Sequence, residues 1–430
     1  MNKKKYQSEK EYPQSEKEWI KYLTIENYFT IFQIEHRKKK VLESNCSYDN
    51  ILEKIFSYRK KNRSLIFSYE DKNFYITDTH KLSSNIESIK EFWKSFEYNF
   101  QNKFSFELLK ETLVEEGFYS STIEGAHSTV KRAYTLAQGK SQPKNKSEFM
   151  VLNNFKALIE LENKKDELSN ELIYLIHKIT VEDTLDDDYN IGCYRTEPNE
   201  IINQSGKVIF TPVSNIITMN KMIDTLIEFL KDDEFSKPME KIYKAIAFHF
   251  LFAFIHPFDD GNGRTVRILF TYLLKNYGYD MFYYISLSEI IYKKKGKAYY
   301  QAFLDVERSA LGDKNTFDMT YFFYYMSDVM LEGLKLLKQR INTHLREDII
   351  QRVVRDKNLD LTPRQNKIIK ILSNKNNTFI ITSSELSEKL HIAPRTVQRD
   401  LKLLADFDLI ERIKAPNNRR KNYFRLKVDL

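Results

Sequence analysis

HPFDDGNGRTVR, residues 256–267, places one His, two Asp, two Gly around an Asn, and two Arg in twelve consecutive positions. The stretch lies between two apolar runs that have helical spacing. PMEKIYKAIAFHFLFAFIH, which starts at Pro238, must end its helical hydrogen bonding at Pro257. RTVRILFTYLLKNYG follows, with apolar residues on one face and a closing Gly278. The pattern predicts helix, loop and helix, with the second helix starting near Asn262.

The loop has the composition of an anion site. The first N–H groups of a helix have no partner within the helix, and Gly261 and Gly263 leave them unobstructed. Arg264 and Arg267 are three residues apart and lie on one side of that first turn, which favours a polyphosphate over a single carboxylate. A carboxylate beside phosphate is repelled unless a cation lies between them, so Asp260 is predicted to bind Mg²⁺.

His256 is predicted to be a general base. It follows the C-terminal end of a helix, where the macrodipole favours protonated imidazole by a few tenths to about 1 kcal/mol. Phe258 is expected to anchor the loop in the core and Asp259 to be solvated. Singly, such a His is more often structural, a Gly-Asn-Gly more often a turn, and an Arg pair more often surface charge. Their combination in one short stretch favours a catalytic site.

The remainder of the chain predicts a mainly α protein with more than one domain. Only 11 Gly and 9 Pro occur in 430 residues, and most apolar residues have helical spacing. Two hairpins interrupt this pattern, SLIFSYEDKNFYIT at 64–77 and a segment at 192–213 that contains an NQSG turn. The sequence predicts four divisions: an N-terminal region to which it assigns no function (1–95), a catalytic helical domain (96–335), a linking helix (336–360) and a C-terminal module (361–430).

Charge and cysteine content narrow the class of protein. A net charge of +8, from 68 basic and 60 acidic residues, does not by itself indicate nucleic-acid binding. Two Cys are too few for a disulfide framework, and MNKKKYQSEKEYPQSEKEW has no apolar secretion signal. The most apolar run, AIAFHFLFAFI, is about half the ~20 residues that span a bilayer. We expect a cytoplasmic protein with no membrane partner, either monomeric or a homo-oligomer.

The C-terminal module predicts a helix, a helix-turn-helix and a two-stranded wing. Ser383 or Ser384 suits the N-cap of the second helix, and Pro394 the first turn of the third. Residues 395–430 contain ten Lys or Arg against five Asp or Glu. The module resembles winged helix-turn-helix domains of bacterial regulators, which bind DNA or serve as protein docking surfaces. The candidate DNA contacts are Arg395, Gln398, Arg399, Lys402, Arg419 and Arg420, opposite an apolar side formed by Val397, Leu401 and Leu404.

HPFDDGNGRTVR resembles the signature of Fic-domain proteins, His-x-Phe-x-Asp/Glu-Gly-Asn-Gly-Arg-x-x-Arg, at every fixed position. IGCYRTEPNEI, residues 191–201, is similar to the stretch that opens the family's β-hairpin flap, with VIFTPV as the returning strand. The matching flap residues are Gly192, Tyr194, Arg195, Thr196, Asn199 and Ile201. Glu197 and Pro198 depart from the family's Ser-Gln. The similarity covers residues 105–325.

The resemblance implies a Fic-type helical domain that transfers AMP from ATP to a Ser, Thr or Tyr hydroxyl of a target protein, itself included. His256 would deprotonate the hydroxyl, and Asp260 would hold Mg²⁺ on the phosphates. Asn262 and the glycine-lined amides would stabilise the α-phosphate. Arg264 would hold the β-phosphate and Arg267 the γ-phosphate.

Two further details follow from the same resemblance. Doc-like kinases of the superfamily carry Lys where this chain has Gly263, which argues against phosphate transfer. Tyr299 and Tyr300 resemble a Tyr pair that lies near adenine in relatives, although an aromatic pair is more often core.

FYSSTIEGAHST, residues 118–129, resembles the family's inhibitory motif, Ser/Thr-x-x-x-Glu-Gly/Asn. Ser120, Glu124 and Gly125 occupy its fixed places, N-terminal to the catalytic core as in one class of the family. A Glu beside Arg267 would pair with the guanidinium and deny it to the γ-phosphate. ATP would then bind in a non-productive pose.

Other functions are consistent with the same residues. The site could remove AMP from a modified protein, with Glu124 orienting a water, or transfer another nucleotide-linked group. The chain could also be a DNA-binding regulator whose Fic domain only senses nucleotide. The presence of both His256 and Asp260 favours an enzyme.

Overall fold

The protein is described by a computed structural model that covers residues 12–100, 106–185, 190–202, 208–231, 241–294, 296–309, 315–373, 380–415 and 418–427. As predicted, it is mainly α. The chain divides into two compact units, Met1–Leu334 and Lys335–Leu430. No helix in the described ranges is long and apolar enough to cross a membrane.

The first unit contains most of the helices. They are α1 (Glu16–Lys21), α2 (Ile31–Glu35), α3 (Lys38–Glu43), α4 (Tyr48–Asn62), α5 (His80–Phe100), α6 (Phe106–Ile123), α7 (Val130–Ala137), α8 (Lys146–Glu162), α9 (Asn170–Val181), α10 (Ile216–Lys231), α11 (Lys241–Ile255), α12 (Asn262–Asn276), α13 (Leu287–Lys294) and α14 (Gly296–Glu307), with a π-helix at Tyr22–Glu26 and a 3-10 helix at Asp280–Tyr284.

The predicted N-terminal hairpin is confirmed and supports the centre of the unit. Strands β1 (Arg63–Tyr69) and β2 (Lys72–Thr77) pair antiparallel, and β2 also pairs in parallel with the later strand Thr316–Asp318. The Phe74 ring of β2 stacks on Phe317, with centroids 4.9 Å apart, and meets Phe254 of α11 edge-on at 5.3 Å. The N-terminal region therefore packs on the helix that leads to His256.

Helices α11 and α12 form the helix, loop and helix predicted around the signature. α11 is buried nearly all round, as its apolar composition requires, and ends at Ile255. α12 begins at Asn262, as predicted, after Gly261 with a left-handed φ of 81°. The predicted helix start at Pro238 lies outside the described residues.

The predicted flap is a second hairpin, β3 (Ile201–Ile202) and β4 (Val208–Phe210), paired antiparallel with Ile201 opposite Phe210. Its predicted NQSG turn lies outside the described residues. The later strand that pairs with β2, Thr316–Asp318, is β5.

The predicted linking helix at 336–360 is wrong as a separate element. It is the end of one continuous helix, α15 (Thr320–Asp356), because this run contains no Pro and a single interior Gly, Gly333, which a helix tolerates. Its last turns join the hydrophobic core of the second unit through Ile350.

The second unit has the predicted winged helix-turn-helix. Its elements are α16 (Pro363–Ser373), β6 (Ile381–Thr382), α17 (Ser383–Leu390), α18 (Pro394–Asp406), β7 (Ile410–Ala415) and β8 (Asn418–Leu426). Thr382 caps α17, not Ser383 or Ser384, because Glu385 three residues later completes a capping box with it. Pro394 opens α18 as predicted. The short β6 adds a third strand by pairing with β8.

Candidate active site

The signature loop is closed from within by Asn262. Its Oδ1 accepts the backbone N–H of Phe258 at 2.9 Å, and its Nδ2 donates to the Phe258 carbonyl at 2.7 Å. Phe258 is fully buried, as predicted for an anchor. Because both polar ends of the Asn262 side chain are used in the loop, its predicted phosphate contact must come from its backbone N–H.

His256 lies directly after α11 in a left-handed conformation, with φ of 54°. Arg195 supports this backbone, since its Nε donates to the His256 carbonyl at 2.9 Å and its own N–H to the Pro257 carbonyl at 2.8 Å. Nδ1 of His256 lies 3.3 Å from the Ala253 carbonyl, which can only accept, so Nδ1 carries the proton. Nε2 is left as the proton acceptor.

Burial lowers the pKa of His256 to about 4, more than the nearby Glu124 charge raises it. The expectation that its place at a helix end makes His256 a better proton acceptor is therefore wrong, because desolvation outweighs the helix dipole. The consequence still suits a general base: near neutral pH the ring is uncharged and can accept a proton.

Arg267 is almost completely buried and is held by the end of α6. Its Nε donates to the Ser120 hydroxyl and its Nη2 to the Ser120 carbonyl, both at 2.9 Å. Nη2 also pairs with Oε1 of Glu124 at 2.8 Å. A Cβ built on Gly263 would lie 2.2 Å from that same Oε1. The Glu124 carboxylate thus lies on the first turn of α12, where the sequence predicts phosphate.

Arg264, three residues before Arg267 on α12, is held by a different helix. Its Nη1 donates to the Thr180 carbonyl at the end of α9, 3.0 Å away, and its Nη2 is 3.7 Å from Oδ2 of Asp260. Among the residues that the structure describes, its buried Nε has no hydrogen-bond partner. The Asp260 side chain is 54% exposed, and its Oδ1 accepts the N–H of Gly261. A half-exposed carboxylate beside a helix start fits a Mg²⁺ ion shared with phosphate.

Residues 167–274 match the model of the Fic/DOC family, and residues 364–415 match that of an HTH domain. The chain contains a Fic domain. Protein adenylyltransferase fic-1 of Caenorhabditis briggsae is 30% identical over 112 residues, which are 24% of this chain and 20% of that protein. Protein adenylyltransferase Fic of Nematostella vectensis is 27% identical over 180 residues, or 40% of this chain and 39% of that protein.

The chain thus matches from about a fifth to two-fifths of the length of these curated relatives. A crystal structure of a Fic family protein from Desulfovibrio desulfuricans G20 has a similar fold. Its TM-score is 0.53 at 19% identity, and the match covers 81% of this chain and 97% of that chain.

The Tyr pair of the Fic domain is split between core and surface. Tyr299 is buried, and its hydroxyl lies 2.8 Å from Nε2 of His249 in α11. Burial raises the pKa of Tyr299 to about 12, against the opposing effect of Arg267. Tyr300 is 53% exposed, and its hydroxyl is 3.5 Å from the Ile123 carbonyl at the end of α6. Of the two tyrosines, only Tyr300 therefore has a solvent-accessible ring on which a nucleobase can stack.

The flap residues of the Fic domain differ in burial. Tyr194 and Arg195 are buried, and the Tyr194 ring lies 5.3 Å from that of Phe258. Asn199 donates through Nδ2 to the Phe258 carbonyl at 3.2 Å, whereas Thr196 is exposed. Ile201, half-buried, starts strand β3. The inner residues hold the flap to the signature loop.

Sequence reasoning missed His177 of α9. Its ring lies flat on Phe258, with centroids 3.6 Å apart and planes at 2°. Nε2 is 3.0 Å from the Asp260 carbonyl, and Nδ1 accepts the N–H of Gly192 at 3.1 Å. Burial lowers the pKa of His177 to about 4. In NELIYLIHKITV it is one His on an apolar helix face, and nothing in that pattern indicates these partners.

Proposed function

We propose that this Fic domain transfers AMP from ATP to a Ser, Thr or Tyr hydroxyl of a protein in the cytoplasm, including sites on the chain itself. The observation that carries the proposal is the neutral His256, with Nε2 as acceptor, beside a helix start that has two buried arginines. The matched relatives are named protein adenylyltransferases, which supports the same reaction class.

In this reaction the acceptor oxygen bonds to the α-phosphorus of ATP, and the bond to pyrophosphate breaks. The hydroxyl proton passes to Nε2 of His256. The amides at the start of α12, with Arg264 and Arg267, hold the phosphate oxygens. Asp260 would hold Mg²⁺, which neutralises phosphate charge when bound.

The same proposal includes autoinhibition by Glu124. Its contact with Arg267 supports this, because the carboxylate uses the guanidinium on which the γ-phosphate would depend. It also lies on Gly263, in the path of an anion that approaches the helix start. Removing Glu124 should free both the cation and the space above the helix.

The test is a double-mutant cycle of Glu124→Gly and Arg267→Ala, read as labelled AMP incorporation at saturating Mg·ATP. Glu124→Gly should increase transfer at least about tenfold, because one charged hydrogen bond is released. Adding Arg267→Ala should cancel that gain, so the two effects are strongly non-additive. Glu182→Gly, an exposed Glu after α9, is the matched control and should leave transfer unchanged.

A Glu124→Gly variant no faster than wild type would contradict autoinhibition. A double variant as fast as Glu124→Gly would show that inhibition does not act through Arg267. Release of AMP from a modified protein, or transfer from UTP or CDP-choline but not from ATP, would replace adenylyl transfer with the alternative activities of the same site.

A second function is supported by the surface of the C-terminal unit. Arg395, Gln398, Arg399 and Lys402 are all exposed on one side of α18, while Val397, Leu401 and Leu404 are buried. We propose that this face binds the phosphates of duplex DNA; the side chains of the other two candidate contacts, Arg419 and Arg420, lie outside the described part of the structure. Arg399→Ala with Arg420→Ala should weaken binding and lower its salt dependence, with Lys367→Ala of α16 as the control. If wild type does not bind DNA at low salt, the face is a protein-docking surface.

A further inference from the structure

His177 joins two segments of the active site that are distant in sequence. Its Nδ1 accepts from the N–H of Gly192, which begins the flap segment, at 3.1 Å. Its Nε2 lies 3.0 Å from the carbonyl of Asp260 in the signature loop. The ring is 1% exposed and stacks on Phe258 at 3.6 Å. Every polar atom of this side chain is therefore used between the flap and the loop.

The two bonds require a neutral ring with its proton on Nε2. A backbone N–H can only donate and a carbonyl can only accept, so Nδ1 must accept and Nε2 must donate. A rigid ring that offers an acceptor and a donor on opposite edges fixes the separation of Gly192 from Asp260. No flexible side chain imposes both distances at once.

Each bond has its own consequence for the site. Gly192 leads to Arg195, which holds the carbonyl of His256, so the Nδ1 bond supports the base and the flap. The Asp260 carbonyl belongs to the same residue whose Oδ1 accepts the N–H of Gly261, so the Nε2 bond supports the orientation of that carboxylate.

The end of α9 forms a platform for the loop. A Cβ on Gly261 would lie 2.6 Å from Cγ1 of Val181 and 3.5 Å from Nε2 of His177. One residue earlier, the carbonyl of Thr180 accepts from Arg264 at 3.0 Å. Gly261 of the loop and Arg264 of the following helix are thus both set against the end of α9.

We propose that His177 is a positioning residue that sets the flap and the Asp260 carboxylate in register, through two separable hydrogen bonds. Its kinetic consequence rests on the proposed AMP transfer. Its effects on the Gly192 amide and on nucleotide binding do not.

Three variants separate the two bonds. His177→Asn puts an amide oxygen near the position of Nδ1 and keeps the Gly192 bond, but is too short for Asp260. His177→Gln reaches the position of Nε2 and keeps a donor to Asp260, but loses the Gly192 bond. His177→Phe keeps the stacked ring and loses both bonds. His127→Asn, at an exposed position, is the control.

The first readout is hydrogen exchange of a peptide that contains the Gly192 amide. Exchange should be at least about tenfold faster in the Gln and Phe variants and unchanged in the Asn variant, because only the first two lose its acceptor. The second is Mg·ATP affinity by calorimetry in the Glu124→Gly background. It should fall about five- to tenfold in the Asn variant and stay near normal in the Gln variant.

AMP incorporation, measured in the same Glu124→Gly background, should also distinguish the Gln variant from the Asn variant. The Gln variant should lower the maximal rate with little change in the KM for Mg·ATP, and the Asn variant should raise that KM. Slow Gly192 exchange in the Gln variant, or equal losses in Asn and Gln that follow their melting temperatures, would overturn the positioning role. Absence of transfer in every variant would refute the proposed reaction but leave the exchange and affinity results to decide on His177.

Discussion

Arg264 and Arg267 lie one turn apart at the start of α12, and both are buried, yet their environments differ. Arg267 donates three hydrogen bonds to Ser120 and Glu124, and the Glu124 charge raises its pKa in spite of burial. Within the described part of the chain, Arg264 has one bond to a neutral carbonyl, a 3.7 Å approach to Asp260 and no partner for its Nε. Burial lowers its pKa.

The difference shows that the two halves of the anion site are not equally available. A buried guanidinium whose neighbouring carboxylate lies 3.7 Å away gains more from an incoming anion than one already in a 2.8 Å ion pair, because the protein offsets less of its desolvation. At Arg264 a phosphate would add an interaction. At Arg267 it must replace Glu124, an anion that the chain itself supplies.

The largest effect expected is that of removing the base and leaving both arginines. His256→Ala should lower AMP transfer at least about 100-fold, because general-base catalysis is lost. ATP affinity should stay within about twofold, since the phosphate-binding groups are untouched. Labelled AMP incorporation and calorimetry measure the two quantities, and His80→Ala, an exposed His of α5, serves as the control. Transfer near the wild-type rate would remove the catalytic assignment.

The unequal availability of Arg264 and Arg267 to phosphate is tested by the ATP affinity of single arginine variants. In wild type, Arg264→Ala should weaken ATP binding about ten- to 100-fold, as expected for a charged hydrogen bond, and Arg267→Ala much less. In the Glu124→Gly background the two losses should become similar, because Arg267 is then free to bind phosphate. Equal losses in wild type would break the comparison, provided that thermal melting shows both variants folded.

A smaller effect is expected from the anchor of α6. Glu116 is buried and accepts from the Ser286 hydroxyl at 3.0 Å and from the N–H of Ser288 at 2.9 Å, at the start of α13. Glu116→Gln should loosen α6 and raise AMP transfer about two- to fivefold, the scale of one weakened hydrogen bond. Glu111→Gln, exposed on the same helix, should not. A gain that persists in the Glu124→Gly background would contradict this route.

The smallest effect concerns pH. With the pKa of His256 lowered to about 4, kcat/KM should stay nearly constant from pH 8 to about 5.5 and fall as pH drops through 4, because protonation removes the acceptor. The Glu124 charge raises this pKa, so Glu124→Gly should move the acid limb to lower pH. Circular dichroism at each pH separates this from acid unfolding. An inflection near the ordinary 6.5 would refute burial as the dominant cause.

Much of the site could be predicted because its signals are local. Helix start and stop residues place the loop between α11 and α12, and the glycines and arginines follow from the chemistry of a helix N-terminus. The pairing of Glu124 with Arg267 was also predicted, since a motif similarity linked two distant segments. The apolar and basic sides of α18 followed from helical spacing.

The missed features depend on packing between distant elements. The pKa of His256 is set by burial, which the position of a residue at a helix end does not reveal. The role of the Asn262 side chain required the loop to fold back on Phe258. His177 joins Gly192 to Asp260 only because α9 lies beneath both, and no spacing in the sequence encodes that arrangement.

The contact between Gly263 and Glu124 also restricts how sequences of this kind can diverge. Any side chain at position 263 would begin 2.2 Å from the Glu124 carboxylate oxygen, so that carboxylate would have to leave its present position beside Arg267. We expect the two positions to covary among homologues, with side chains at 263 found where the glutamate is absent. A sequence that acquires a side chain at position 263 would therefore need a form of regulation other than this contact.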